Sequence, residues 1–241
     1  MAYRESPEIA ARKAELREKI LNAAQQLVSE GGFRNASIQS VAQRADIATG
    51  TVYKYFKSKS VLFSEVFRRA TQIEVDKVAE AINQEGTISE RLEQAVNCFC
   101  HRAIKANHLA WSLIAEPVDP EVDLDRLNYR KKYAALFANL IAEGVDKGEL
   151  PTQVPSVSAA ALVGALAETL VGPLSPNSPN SPVFNANINQ DETLSVDETL
   201  TLDESALIRE ISRFCHTAIS GHPPPCRRDT TLPGPNEQEQ K

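Results

Sequence analysis

Apolar residues recur along most of this chain at intervals of three and four, the spacing that places them on one face of an α-helix. Over residues 15–30 the stripe is Leu16, Ile20, Ala23, Ala24, Leu27 and Val28, with Arg17, Glu18, Lys19 and Gln25 between them. Gly31 and Gly32 are expected to stop this helix. Ser37 is placed to cap a short second helix through its hydroxyl, with Ile38, Val41, Ala42 and Ala45 on one face. A third segment, equally short, covers about residues 49–56. Ser58 then caps a long helix whose buried stripe uses Leu62, Val66, Ala70, Ile73 and Val78, with its end at Gly86.

Helices continue through the rest. Residues 88–106 use Leu92, Ala95, Val96, Phe99 and Ala103, and a short piece over 108–116 stops before Pro117. Residues 124–147 carry Leu127, Tyr133, Leu136, Phe137, Leu140, Ile141 and Val145. Residues 155–172 are rich in Ala and Gly, and Pro173 is expected to end them. The last helix, 203–220, sets Leu207, Ile208, Ile211, Phe214, Cys215, Ala218 and Ile219 on one stripe. No segment suits a sheet, so the fold class is all-α: a three-helix N-terminal head and a C-terminal helical bundle.

Two stretches lack any such period. Residues 174–202 open with Ser-Pro-Asn repeats and continue with an Asp-Glu-Thr-Leu echo that starts at Asp191 and at Asp197. Sequence this polar cannot bury enough surface to offset its ordering cost, so a flexible insertion loop is expected. Residues 222–241, with Pro223, Pro224, Pro225 and Pro233, are expected to form a disordered tail on the same grounds. The chain thus divides into a head at 10–60 and a body at 61–221.

Charge follows that division. Residues 1–69 hold twelve Lys/Arg against seven Asp/Glu, and residues 70–241 hold fourteen against twenty-five, so a formal +5 and −11 make up the net −6. A basic head on an acidic body suits a protein whose head meets nucleic acid. The apolar fraction of 42% is enough for a sizeable core. The N-terminus is charged and lacks the apolar core of a secretory signal, and the uninterrupted apolar run 159–167 is too short to cross a bilayer. A cytoplasmic protein with reduced thiols and no membrane contact is the expectation.

Two short helices around a tight turn, following a longer amphipathic one, make a helix-turn-helix. The second short helix of that motif enters the major groove while the first crosses the backbone. In the reading segment, Thr49, Thr51, Tyr53, Lys54 and Tyr55 gather hydroxyls, phenols and a cation, while Val52 and Phe56 hold it to the body. Gly50 lets backbone approach phosphates or base edges closely. Arg44, Lys57 and Lys59 stand where phosphates would be neutralised. The DNA-binding set is Ser37, Gln39, Arg44, Thr49, Gly50, Thr51, Tyr53, Lys54, Tyr55 and Lys59.

The run from Ser37 through Val41-Ala42 to Ala45, followed by Gly50-Thr51-Val52-Tyr53-Lys54-Tyr55-Phe56-Lys57-Ser58-Lys59, closely resembles the DNA-binding signature of the TetR family. The resemblance spans residues 15–70. Two positions depart from it: Asp46 stands where the family usually has Gly, and Ala48 where it has Ser. Asp tolerates the left-handed conformation, so the turn is expected to survive. Ala48 cannot cap, which shifts that task to Thr49 or to the turn. The resemblance implies an all-α fold of nine or ten helices, a homodimer through the last two main helices, operator DNA as partner, and a small-molecule effector bound in the body.

For that effector the candidate residues are Phe99, Arg102, His108, Trp111, Tyr129 and Tyr133, aromatics with a few polar groups in an apolar bundle; Glu116 belongs with them. Metal binding by Cys98 and Cys100 is not expected, because residues two apart on a helix point about 200° from each other. Asp119, Glu121, Asp123 and Asp125 alternate like calcium ligands, but the glycine and closing acidic residue of that pattern are missing, so a solvated acidic loop is expected. No nucleophile elbow, phosphate loop or zinc-protease motif is present, so neither an enzyme nor a cofactor is expected. The function expected is a ligand-responsive repressor released from its operator by a small, largely apolar molecule. The alternative is a helical small-molecule- or partner-binding protein with a vestigial helix-turn-helix.

Overall fold

Hydroxyls, a proline and glycines divide the chain into its helices. Residues 6–176 and 203–222 are described in the computed structural model, and they form nine α-helices and no strand. The expected insertion loop therefore lies outside the described residues from 177 to 202, and the expected tail from 223 onward. Leu174, assigned to that loop from the sequence, is instead the buried last residue of a helix.

The head begins with α1 (Pro7–Asn35), whose N-cap Ser6 accepts from the Ile9 N–H. It starts earlier than the apolar stripe suggests, because Pro7 is suited to a first turn whatever the polarity that follows. Gly31 and Gly32 do not end it. The helix breaks at Gly32, which takes φ 77° and ψ 175°, and resumes to Asn35; that backbone is essentially restricted to glycine. The short α2 (Ile38–Arg44) opens with a reciprocal cap between Ser37 and Ser40. Asp46 does adopt the left-handed conformation, at φ 52°, and turns the chain into α3 (Thr49–Tyr55). Ala48 is the N-cap of α3 and gives no side-chain bond; the Thr51 N–H instead donates to the Ala48 carbonyl at 2.8 Å. The capping task thus falls to the turn.

Long helix α4 (Lys59–Ile82) starts in the head and ends in the body, with Ser58 as its cap. Leu62, Val66, Ala70 and Val78 are buried as the stripe predicted, but Ile73 is exposed. Helices α5 (Ile88–Lys105) and α7 (Pro120–Asp146) pack on the side of α4 that carries Phe67, Thr71 and Val75, leaving Ile73 outside. The end comes at Ile82, ahead of Gly86.

Between α5 and α7 lies the short α6 (Asn107–Ile114), two residues shorter at its end than the sequence suggested. The acidic stretch is not a loop. Only Asp119 precedes α7; Glu121 and Asp123 lie in its first turn, where the helix dipole favours negative charge, and Asp125 accepts from the Ser64 hydroxyl of α4. Helices α8 (Pro155–Leu174) and α9 (Glu204–Ser220) complete the body, with Pro173 inside α8 rather than ending it. Pro173 removes the bond to the carbonyl four residues back, and the helix runs only one residue beyond it. Leu127 and Phe214, placed on buried stripes from the sequence, are exposed at 50% and 55%.

α8 is long and apolar enough, by length and composition, to span a membrane, which the shorter uninterrupted run did not suggest. One face of it, however, joins the core through Ala159, Leu162, Leu166 and Leu170, packed on α7 and α6.

Candidate functional site

Val52 and Phe56 are both buried and fasten α3 to the core of the head. With that side fixed, Thr49, Gly50, Tyr53 and Lys54 are exposed, and Thr51 and Tyr55 half-buried. Ser37, Gln39 and Lys59 are also exposed around α3. A Cβ built on Gly50 would meet nothing within 4 Å, so the fold itself gives no reason for glycine there. Arg44 differs from the rest of the expected DNA-contacting set. Its guanidinium forms a two-pronged pair with the Glu30 carboxylate at 2.5 and 2.6 Å, tying α2 to α1. Lys59 lies over the Phe63 ring, 5.5 Å from its centre. Arg17 lies over the Phe56 ring at 5.0 Å while pairing with Glu65 at 2.5 Å, which fixes α1, α3 and α4 together.

In the body, five helices enclose a largely apolar cavity. Phe67, Thr71 and Glu74 come from α4; Phe99, Arg102 and Ala103 from α5; Leu109, Leu113 and Ile114 from α6. Arg126, Tyr129, Arg130, Tyr133 and Phe137 line it from α7, and Val163 and Leu166 from α8. With its opening counted, the cavity holds about 820 Å³ of space free of atoms. Four of the six residues singled out from the sequence thus meet here: Phe99, Arg102, Tyr129 and Tyr133. The rings of Phe99 and Tyr133 meet edge to face, 5.7 Å between centres.

Most polar groups on the wall are already engaged. Arg102 clasps the Glu74 carboxylate at 2.5 and 2.8 Å, and that bond holds its guanidinium above the usual arginine range. Arg126 donates to the carbonyls of Ser112, Leu113 and Glu116, and burial holds it below the usual range. The Tyr129 hydroxyl donates to the Arg68 carbonyl at 2.9 Å. Burial pushes the Tyr133 phenol upward, with the Glu74 carboxylate adding to the effect.

His108 and Trp111 stand elsewhere. They face a second hollow, on the other side of α6, with Gly31, Gly32, Arg34, Glu116 and Pro117. Residues 108 and 111 are one turn apart on a face of α6 opposite Leu109 and Leu113, a distinction that composition does not reveal. Glu116 does not serve the cavity either. It is buried, and its carboxylate accepts from the backbone N–H groups of Phe33 and Arg34, both at 2.9 Å. These are the donors freed by the break at Gly32. A Cβ at Gly32 would lie 2.7 Å from both carboxylate oxygens, so glycine is needed for space as well as for its φ. The sequence carried one trace of this tie, a lone acidic residue at the end of an apolar helix.

Cys98 and Cys100 point apart. The Cys98 sulfur lies 3.6 Å from the Lys77 carbonyl, while Cys100 and Cys215 are fully buried and their thiols are pushed up to about 12.

A family model described as "Bacterial regulatory proteins, tetR family" matches residues 20–66, and one described as "Tetracyclin repressor-like, C-terminal domain" matches 85–170. The chain belongs to the TetR family. The first match falls on the head and the start of α4, and the cavity lining falls within the second, apart from Phe67, Thr71 and Glu74 of α4. The fatty acid metabolism regulator protein of Bacillus subtilis (strain 168) is 24% identical over 55% of this chain and 69% of its own. The transcriptional repressor KstR of Mycobacterium tuberculosis is 38% identical over 54% of this chain and 60% of its own. Among solved structures, the regulator FadR of Bacillus subtilis in complex with stearoyl-CoA matches the fold with a TM-score of 0.64 at 20% identity, covering 84% of this chain and 98% of its own. TetR-family regulators bind operator DNA, respond to small molecules and act as dimers. This TetR-family chain is accordingly a ligand-responsive DNA-binding regulator, and its relatives are transcriptional regulators rather than enzymes.

Proposed function

We propose that this regulator is a cytoplasmic repressor, reading its operator with α3 and released from it by an elongated, mostly apolar molecule bound in the body cavity. The division at residue 60 is part of the proposal: α1 to α3 read, and α4 to α9 sense and dimerise. The observation that carries the reading is the position of α6. One face of it walls the cavity with Leu109 and Leu113, and just beyond its end Glu116 holds the backbone four residues before the cap of α2. An effector that displaces α6 therefore displaces the base of the reading head.

The chemistry of the wall suits a long chain with an anionic or polar end. Phe67, Phe99, Leu113, Phe137 and Leu166 receive the apolar part. Arg130, exposed on the wall beside Arg126, makes no hydrogen bond or ion pair among the described residues and is free to meet an anion. Stearoyl-CoA, bound by the structurally similar FadR, combines those features. The DNA-contacting set is the exposed group from Ser37 to Lys59, in which Arg44 reaches phosphate only by leaving Glu30. Dimerisation falls to α8 and α9, whose outer faces expose Val157 and Phe214 and leave open space at Gly164.

The test is fluorescence anisotropy with duplex DNA from upstream of the chain's own gene, across a salt series and with saturated acyl chains and their CoA thioesters added. Affinity is expected to fall steeply with salt, and Lys59→Ala to flatten the slope by about one unit. An added acyl chain is expected to lower operator affinity about 5–150-fold. No change with any member of the series would remove the proposed effector class.

A further inference from the structure

The hollow on the far side of α6 lies where head and body meet, and it shares no wall residue with the body cavity. With its opening counted it holds about 910 Å³ of space free of atoms, room for a molecule of one or two rings. The end of α1 gives its wall Gly31, Gly32 and Arg34, and α6 gives it His108 and Trp111. His108 and Trp111 are half-buried, so each keeps part of its ring open. Arg34 is exposed, and its guanidinium makes no hydrogen bond or ion pair among the described residues. Its backbone, by contrast, is pinned, since the Arg34 N–H donates to Glu116 at 2.9 Å. The indole N–H of Trp111 and the ring of His108 likewise have no hydrogen-bond partner among the described residues.

The acceptors on this wall are already taken. Glu116 is its one carboxylate among the described residues; it is buried, and its two oxygens accept from the Phe33 and Arg34 N–H groups. The Ser112 hydroxyl donates to the His108 carbonyl, and the Asn35 amide to the Gly31 carbonyl. What stays unengaged is a guanidinium and an indole N–H beside two flat rings. A guanidinium fork matches the two oxygens of a carboxylate. Flat rings take another flat ring stacked or edge to face. From this set we infer that the hollow is a second ligand site, for a small aromatic acid with its carboxylate on Arg34 and its ring against Trp111 and His108. The site stands apart from the body cavity, so it does not depend on the acyl-chain reading. Its ligand straps the end of α1 to α6 beside the Glu116 tie.

The experiment is calorimetric titration of the full chain with 2-naphthoate, with its uncharged amide and with the saturated decahydro-2-naphthoate. Trp111, the only tryptophan, reports on the same titrations by its emission. Wild type is expected to bind 2-naphthoate about tenfold or more tighter than the amide, the effect of a hydrogen bond to a charged group. It should bind the saturated acid about three- to tenfold more weakly than 2-naphthoate, for want of a ring contact. Trp111 emission should change with the same midpoint, and the melting temperature should rise with ligand concentration. Arg34→Gln should weaken 2-naphthoate about tenfold and remove its advantage over the amide. Trp111→Leu should weaken it about three- to tenfold. Should Trp111→Leu fold poorly by circular dichroism, Arg34→Gln decides, because its side chain is exposed. Affinity for 2-naphthoate that survives Arg34→Gln puts the ligand elsewhere and overturns the inference. Equal binding of the amide or of the saturated acid by wild type overturns it as well. So does 2-naphthoate that gives neither heat nor a change of emission at millimolar concentration.

Discussion

In the head, Thr49, Tyr53 and Lys54 of α3 are exposed and pair with nothing among the described residues; in the body, most polar side chains on the cavity wall are bound to one another or to backbone. Thr49, Tyr53 and Lys54 are held in place only through the buried Val52 and Phe56 behind them. Arg102, Arg126 and Tyr129 are each fixed by their own hydrogen bonds. The contrast reflects what each region must recognise. A DNA surface is charged, wet and fixed in shape, so exposed unpaired donors suit it. An apolar cavity would suffer from unpaired charges, and it keeps only what it can satisfy or what a ligand will satisfy. Glu116 joins the two regions and belongs to neither chemistry.

Removing the anchor behind α3 is the harshest way to break this contrast. Phe56→Ala deletes a fully buried ring under the reading helix and should cost about 3–5 kcal/mol. Operator binding is expected to vanish in anisotropy assays, while acyl-chain binding by calorimetry stays within a few-fold. Loss of both together would mean that head and body do not hold their shapes separately. A smaller break is aimed at the joint. Glu116→Ala leaves the Phe33 N–H buried without an acceptor, which should cost about 1–3 kcal/mol in thermal unfolding. The more informative readout is coupling: operator affinity of this variant should respond less to added acyl chain than wild type does. An undiminished response would route the signal through α4 alone.

Gly50 sharpens the comparison from the other side, because there stability and function should move oppositely. Alanine fits the open space at this helical position and should raise stability by up to about 1 kcal/mol. The same methyl group would stand between the reading helix and DNA, so operator affinity should fall on the order of tenfold. A Gly50→Ala protein with unchanged affinity would show that this part of α3 does not approach the duplex closely.

The head was legible in the sequence because its chemistry is local. Cap, turn, reading helix and second cap lie in one run from Ser37 to Lys59, and each residue's role follows from its neighbours a few positions away. Even Asp46 and Ala48, the two departures, could be reasoned through, and both resolved at the turn. The cavity draws instead on five helices, and which face of each turns inward depends on packing over long distances in the chain. Spacing therefore brought Phe99, Arg102, Tyr129 and Tyr133 together with Trp111 and His108, although the latter pair lie on the far face of α6. Thr71 and Arg130 carried no signal at all, since a threonine on an apolar stripe and an arginine on a polar one look ordinary until the bundle closes around them. The exposed Ile73, Leu127 and Phe214 mislead for the same reason.

The mildest expected effect contrasts one ion pair from each region under acid. In the body, Arg91 at 2.7 and 3.0 Å and Lys147 at 2.7 Å hold the Glu143 carboxyl down at about 2, linking the start of α5 to the end of α7. In the head, the Arg44 guanidinium lowers Glu30 from its ordinary 4.5 in the same direction. A carboxyl whose folded value lies below its unfolded one stabilises the fold above the unfolded value, and that contribution disappears as pH falls through the folded value. Both pairs should therefore support the fold fully above about pH 4.5, and Glu143 should keep losing its share down to about 2. Glu143→Gln is expected to flatten the fall of melting temperature over that window and to leave operator binding at neutral pH unchanged. Glu30→Gln should flatten it less, and by freeing Arg44 should hold or raise operator affinity. Both carboxylates are partly exposed, so each effect should be smaller than those of Phe56, Glu116 or Gly50. If Glu30→Gln lowered operator affinity instead, the pair would be a brace that positions α2, and Arg44 would leave the set of residues assigned to phosphate.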